Sequence, residues 1–227
     1  MKRRSGILSI TLIFILGCSF LAPSAPSPSP IPPSQTPHSP TAIPPTSTLA
    51  PPTPSAILGT IALDFVAWLC DARWMNGAQH LAACPPGSAD LSGGYAKVID
   101  PAAENLPPGT SILLTVPAWN GNAAFFLSYP AFSVHSGDRF RATLRCQKGA
   151  PCNVQYALEY YDANGKYSGP FLSWNFAAGR TALNVDADLS ALAGQTVSFV
   201  LALRPNNDAP RQDGSLWIGP YIYRSNR

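Results

Sequence analysis

Asp138-Arg139-Phe140-Arg141-Ala142-Thr143-Leu144-Arg145-Cys146-Gln147 is the stretch on which the fold of this 227-residue chain turns. A β-strand points successive side chains to opposite faces. Phe140, Ala142, Leu144 and Cys146 therefore share one face, and Arg139, Arg141, Thr143 and Arg145 share the other. Val154, Tyr156, Leu158 and Tyr160 repeat the pattern in the next run. That run ends at Asp162-Ala163-Asn164-Gly165, where Asn-Gly is a strong turn signal. Further strand candidates are Ile61 to Leu69, Tyr95 to Ile99, Ser111 to Val116, Ala124 to Tyr129, Phe171 to Phe176, Thr181 to Val185, Thr196 to Leu203 and Leu216 to Tyr223. No apolar stripe at helical spacing exceeds about two turns, and Leu189 to Leu192 makes at most one turn before Gly194. About ten short strands separated by Pro, Gly and Asn predict an all-β fold with almost no helix. The expected architecture is an antiparallel β-sandwich of the jelly-roll type.

Outward from this region the chain changes character. Thirteen of its 25 prolines lie between Pro23 and Pro54, mixed with Ser and Thr, and no Asp, Glu, Lys or Arg occurs between Arg4 and Asp64. Proline lacks the amide donor, and Ser and Thr offer little apolar area, so this stretch reads as an extended tether rather than a packed core. At about 3.1 Å per residue in the polyproline II form, some forty residues span on the order of 100 Å. Before the tether, Lys2, Arg3 and Arg4 precede an apolar run from Ile7 to Leu16. Such a run is too short for a permanent span of the roughly 30 Å hydrocarbon layer, but it suits a secretory signal. Ile15-Leu16-Gly17-Cys18 resembles the lipobox of bacterial lipoproteins. That resemblance implies a signal peptide over 1–17 and acylation of Cys18. It further implies a lipid-anchored, extracytoplasmic place in a bacterial cell envelope, with palmitate-like chains on the new N-terminus. The alternative is an ordinary secretory signal cut near Ala22. The expected division is thus signal 1–17, lipidated Cys18 and tether 18–58, and a β-sandwich domain 59–227.

The five cysteines fit this division, because lipidation of Cys18 leaves four. Of their three pairings, Cys70 with Cys84 and Cys146 with Cys152 is the most economical, since each closes a short loop rich in turn residues. A zinc site is the rival reading, but Cys146 and Cys152 lack the usual spacing and have no nearby His.

Blocks along the domain carry a second resemblance. They are Asp64-Phe65-Val66, Trp74 with Asn76-Gly77, Cys84-Pro85-Pro86-Gly87, Tyr129 to Val134 with Gly137-Asp138-Arg139-Phe140, Asp188 to Val197, and Leu216-Trp217-Ile218-Gly219-Pro220. Together they resemble a β-sandwich module at the C-terminus of bacterial envelope lipoproteins. The last two blocks are similar to galactose-binding-like jelly rolls and to modules attached to glycosidases. The resemblance implies the β-sandwich fold, supplies no function, and transfers no catalytic residue.

Charge and motifs exclude several functions. Lys2, Arg3 and Arg4 account for the whole formal charge of +3, so the chain beyond the signal holds twelve basic and twelve acidic residues. Interspersed charges of this kind leave no electrostatic footprint for nucleic acid. The chain has no Gly-x-Ser-x-Gly elbow, His-Glu-x-x-His pair or glycine-rich phosphate loop. Only His80 and His135 fall within the domain, and Glu104 and Glu159 are the only glutamates. A non-catalytic domain without a cofactor is expected. Asp186 and Asp188 share a strand face and read as turn residues, or less favourably as a structural calcium site.

Binding is better motivated, because sugar rings pack on aromatic faces while planar polar groups satisfy their hydroxyls. The candidates are Trp119 and Asn120 in a loop, Trp174 at a strand end, and Arg139, Arg141 and Arg145. The arginines are expected to lie beside Gln155, Glu159 and Tyr161 of a neighbouring strand, forming a polar, partly aromatic groove. A carbohydrate or cell-wall glycan is the leading ligand. The alternatives are a structural or protein–protein interaction module of the envelope and, less favourably, a glycan-active hydrolase. The bland reading of the same residues is that the Arg and Glu side chains form cross-strand pairs on a solvated face and the tryptophans are core.

Overall fold

A computed structural model describes residues 59–76, 79–80, 84, 91–119, 124–206 and 209–225. All belong to the compact unit Thr53–Arg227. Cys18, the signal and all of the tether lie outside the described residues, as does Asn120. Among the described residues no helix is long and apolar enough to cross a membrane.

The described residues run through twelve strands: β1 (Gly59–Asp64), β2 (Arg73–Asn76), β3 (Gln79–His80), β4 (Tyr95–Val98), β5 (Ile112–Val116), β6 (Phe125–Ser133), β7 (Asp138–Cys146), β8 (Asn153–Tyr161), β9 (Tyr167–Ala177), β10 (Leu183–Asp188), β11 (Thr196–Pro205) and β12 (Ser215–Ser225). Two antiparallel sheets result. Sheet one has the order β10-β7-β12-β5-β4, with β1 also on β12, and sheet two has the order β3-β2-β6-β11-β8-β9. From β5 onward the strands divide between the sheets as β5-β12-β7-β10 and β6-β11-β8-β9, with only β8 and β9 consecutive in one sheet, which is jelly-roll topology. Strands occur at every place anticipated from alternation, several of them longer than expected, but the one expected over Ile61 to Leu69 ends at Asp64, and Phe65 to Leu69 form turns. Two were not anticipated, β2 and β3, which are too short to display a period.

Alternation of apolar side chains builds the core between the sheets. Phe140 and Leu144 of β7 and Trp217 and Ile222 of β12 face Tyr156 and Leu158 of β8 and Phe199 and Leu201 of β11, all buried. Tyr156 meets Trp217 edge to face at 4.8 Å, and its hydroxyl donates to the Arg145 carbonyl at 2.7 Å, so the one polar atom it brings inside is satisfied. A second cluster, Ile112, Leu114, Val116 and Leu216, is buried with Trp119, Leu106 and Ile218 against it. Its members Ile112, Leu114 and Leu216 occupy the outer face of sheet one.

β7 holds one edge of β12, and along the other edge β12 serves two partners in succession. Ser215 to Ile218 pair with β5, the register shifts between Ile218 and Tyr221, and Tyr221 to Ser225 pair with β1. Gly219 makes the step at φ +55°, a left-handed conformation that costs a glycine little, and its N–H donates to the Ser111 carbonyl. Cys70–Cys84 and Cys146–Cys152 are both bonded, the pairing expected from spacing, and they close separations of 14 and 6 residues.

One expectation is overturned. β7 and β8 are consecutive but not neighbours. The loop closed by Cys146–Cys152 carries the chain from sheet one to sheet two, so Arg139, Arg141 and Arg145 lie on the opposite face of the sandwich from Gln155, Glu159 and Tyr161. The joint groove does not form.

Candidate functional site

On sheet one the arginines are consumed by carboxylate partners, Asp186 on the neighbouring strand and Glu104 on the 3-10 turn Pro101–Glu104. Arg139 Nε donates to Asp186 Oδ1 at 2.6 Å, and Arg141 Nη2 lies 3.2 Å from Asp186 Oδ2 while stacking over the Tyr223 ring at 4.4 Å. Burial acts to raise the Asp186 carboxyl, but the two guanidiniums overcome it and hold the group below the usual carboxylate range. Arg145 binds the buried Glu104 through Nη2 at 2.8 Å. This face matches the bland reading of its charges. Asp188 Oδ1 accepts from the Ser190 N–H and hydroxyl, capping a turn. Asp186 and Asp188 therefore do not converge, and among the described residues no three His, Cys, Asp or Glu side chains gather where a metal could sit.

Trp174 is also reassigned. Its register opposite Tyr156 turns it between the sheets, where it stacks on Phe140 at 6.1 Å and 23°. Trp119 sits at the rim of the second cluster, edge-on to Tyr95.

The outer face of sheet two holds the most developed site. Outward positions of its central strands carry Ala157 and Glu159 from β8, Val200, Ala202 and Arg204 from β11, and Phe126 and Ser128 from β6. Glu159 is 0 % exposed even though it points away from the core. Burial is tolerated because both oxygens are taken. Arg204 Nη2 donates to Oε1 at 2.6 Å, and the Tyr167 hydroxyl donates to Oε2. Tyr167 folds across this pair from the start of β9. Gly169 leaves the space it needs, since a Cβ there would lie 2.6 Å from the Tyr167 hydroxyl and 2.9 Å from the Glu159 carboxyl carbon. Burial and the Glu159 carboxylate push the Tyr167 phenol up to about 12, with Arg204 opposing them. At neutral pH the phenol is therefore a hydrogen-bond donor, not a phenolate nucleophile. Arg204 in turn lies 5.3 Å from the Phe126 ring centroid.

Tyr161 extends the platform, its ring centroid 5.3 Å from that of Tyr167. Beside it opens a recess of about 460 Å³ between Arg73 and Met75 of β2 and the turn Asp162 to Gly165, with Ser128 and Ser198 among its lining residues. Three strand spacings separate β2 from β8, so the recess reaches across about 14 Å of sheet. The turn that walls it is rigid. Asp162 Oδ1 accepts the N–H groups of Asn164 and Lys166 at 2.9 and 2.8 Å, and Gly165 takes φ +76°. Arg73, exposed on β2, has no carboxylate partner among the described residues. The site thus combines a fixed aromatic pair with a guanidinium, a carboxylate and two serines.

Of the candidates read from sequence that lie among the described residues, only Glu159 and Tyr161 belong to this site, Glu159 as a buried support and Tyr161 as a surface. Arg73, Met75, Ser128, Tyr167, Ser198 and Arg204 were missed, because their union depends on four strands that are remote in sequence. The chain's two glutamates lie on opposite outer faces, each tied to an arginine, and form no carboxylate pair of the kind glycoside hydrolysis uses.

No family model matches the chain, and no curated protein matches it in sequence. Similar solved structures include TmCBM61 in complex with beta-1,4-galactotriose, at 12 % identity and a TM-score of 0.43, over 72 % of this chain and 94 % of that one. The CBM22-1 xylan-binding domain of Paenibacillus barcinonensis Xyn10C shows 16 % identity and a TM-score of 0.41, over 75 % and 97 %. The K3 cleaved adhesin domain of Lys-gingipain from Porphyromonas gingivalis shows 13 % and 0.42, over 74 % and 100 %. These likenesses are loose and say nothing of this chain's ligand. The class is defined by the chain's own strand pairing: an all-β, antiparallel jelly-roll sandwich with one elaborated outer face.

Proposed function

We propose that the domain is a non-catalytic glycan-binding module that takes an oligosaccharide segment across the outer face of sheet two. The observation that carries this reading is the Tyr161–Tyr167 platform, fixed by a fully buried carboxylate beside an open recess. A ring already locked in place loses little conformational entropy on binding, and its apolar face suits the C–H surface of a sugar. Arg73, Asp162, Ser128 and Ser198 supply donors and acceptors for hydroxyls. The volume falls within the usual range of ligand sites, roughly 300–1,000 Å³. Calorimetric titration of the full chain with xylo-, galacto- and chito-oligosaccharides and with peptidoglycan fragments tests the reading. A tenfold or greater loss of affinity is expected in Tyr161→Ala and in Arg73→Ala. Absence of binding to every sugar, or binding indifferent to both changes, refutes it.

The same proposal places the module at a bacterial envelope membrane, held by acyl chains on Cys18 at the end of a proline-rich tether. The basic start, short apolar run and Ile15-Leu16-Gly17-Cys18 support this, as does the cysteine left over once two disulfides form. Labelled palmitate should be incorporated into the chain in a bacterial host and should be lost in Cys18→Ala. Equal labelling of both overturns the anchor.

A further inference from the structure

We propose a second, separate ligand site at Trp119, Arg211 and Gln212 that takes a carboxylate-bearing sugar. Trp119 leaves β5 at one end of the sandwich and is held from two directions. Its backbone N–H donates to the Ser92 carbonyl at 2.8 Å, and Tyr95 packs edge-on at 6.5 Å and 90°. Arg211 rides on the 3-10 turn Pro210–Gln212 just before β12, and its guanidinium lies 5.2 Å from the Trp119 ring centroid. These side chains and Ala209 line an open recess of about 390 Å³. It is distinct from the sheet-two groove, because Trp119 packs on the cluster that lies on the outer face of sheet one.

The charge state of Arg211 indicates the ligand. Arg139, Arg141, Arg145, Arg204 and Arg224 each make an ion pair with a carboxylate. Arg211 has no such partner among the described residues. The nearest acid in sequence, Asp213, is buried and accepts the Asn153 N–H through Oδ1. A guanidinium oriented by an indole, exposed and with no carboxylate partner among the described residues, presents parallel N–H donors that match a carboxylate in bidentate fashion. Gln212 adds an amide able to donate to and accept from hydroxyls, and the indole offers apolar contact. Together these suit a sugar acid such as a uronate better than a neutral hexose.

Sodium glucuronate is the probe, followed by tryptophan fluorescence and calorimetry of the full chain, with glucose and sodium acetate at matched ionic strength as controls. Saturable binding of glucuronate is expected, with little response to glucose or acetate. Arg211→Gln should weaken it at least tenfold and Trp119→Phe should weaken it as well, both with an unchanged thermal melt. Tyr161→Ala should leave it intact. No saturable response, an equal response to acetate, or full binding by Arg211→Gln overturns the site. Because Tyr161→Ala and Arg211→Gln act on different faces, failure here leaves the sheet-two groove standing, and failure of the groove leaves this site standing.

Discussion

Replacing Glu159 with alanine isolates the interaction that holds the aromatic platform. The carboxylate is 0 % exposed, whereas the side chain of its partner Arg204 is 29 % exposed. Breaking a fully buried pair by removing one member costs about 3–5 kcal/mol, because the remaining charge is stranded. Arg204 can recover some hydration, and the Tyr167 hydroxyl loses one charged acceptor. The lower end, about 3 kcal/mol, is therefore expected. For a domain of this size that is a fall in Tm of about 6–12 °C. Asp186→Ala is the control. It also removes a carboxylate from arginine, but that side chain is 49 % exposed, so the loss should stay below about 1 kcal/mol. Urea unfolding followed by tryptophan fluorescence reads both, with m unchanged if the native state keeps its compactness. Glu159→Gln should fall between wild type and Glu159→Ala. A Glu159→Leu/Arg204→Met double variant should regain stability while losing glycan affinity, since an apolar pair removes the stranded charge along with the anchor for Tyr167. The reasoning is refuted if Glu159→Ala lies within about 1 kcal/mol of wild type, or if Asp186→Ala costs as much.

Three further outcomes follow from the packing. Tyr167 keeps its proton to about pH 12 in the folded chain, whereas an unfolded tyrosine ionises near pH 10. Its contribution to stability is therefore complete below about pH 10 and lost between there and about pH 12. The tyrosinate absorbance of wild type minus Tyr167→Phe should accordingly show a late-titrating group, and a midpoint near 10 contradicts the buried hydrogen bond. Trp174→Ala should cost about 2–3 kcal/mol through the space left against Phe140 and leave glycan binding unchanged; lost binding without lost stability would return Trp174 to the site. Serine pairs replacing Cys70/Cys84 and Cys146/Cys152 should cost about 3 and about 2 kcal/mol from loop closure over 14 and 6 residues, measured by urea unfolding against oxidised wild type.

What sequence made legible was local. The alternation in β7 and β8, the Asp162–Gly165 turn and the two short disulfide loops each depend on residues within a few positions of one another, and all occur as read. Strand partnership is set by pairing across the whole chain. A jelly roll sends β7 and β8 to different sheets, so residues that looked adjacent ended on opposite faces. Trp174 shares its parity with Leu172 and Phe176, a local signal that marks it as inward. Glu159 offered no comparable clue, because the residues that bury it come from 8 and 45 positions away. The four residues of β2 are too few to display a period, and they supply one wall of the groove.

The divided pairing of β12 also has a mechanical meaning. β1 lies antiparallel to the last residues of β12, with Gly59 opposite Ser225 and Asp64 opposite Tyr221, and the chain then turns inward at Phe65, whose ring is buried among Tyr129, Phe140 and Phe199. Tension applied at Gly59 along the strand axis therefore loads the whole β1 ladder in shear instead of opening its bonds one after another, and behind the ladder it meets an aromatic plug. A domain pulled from that end should yield last where it is held.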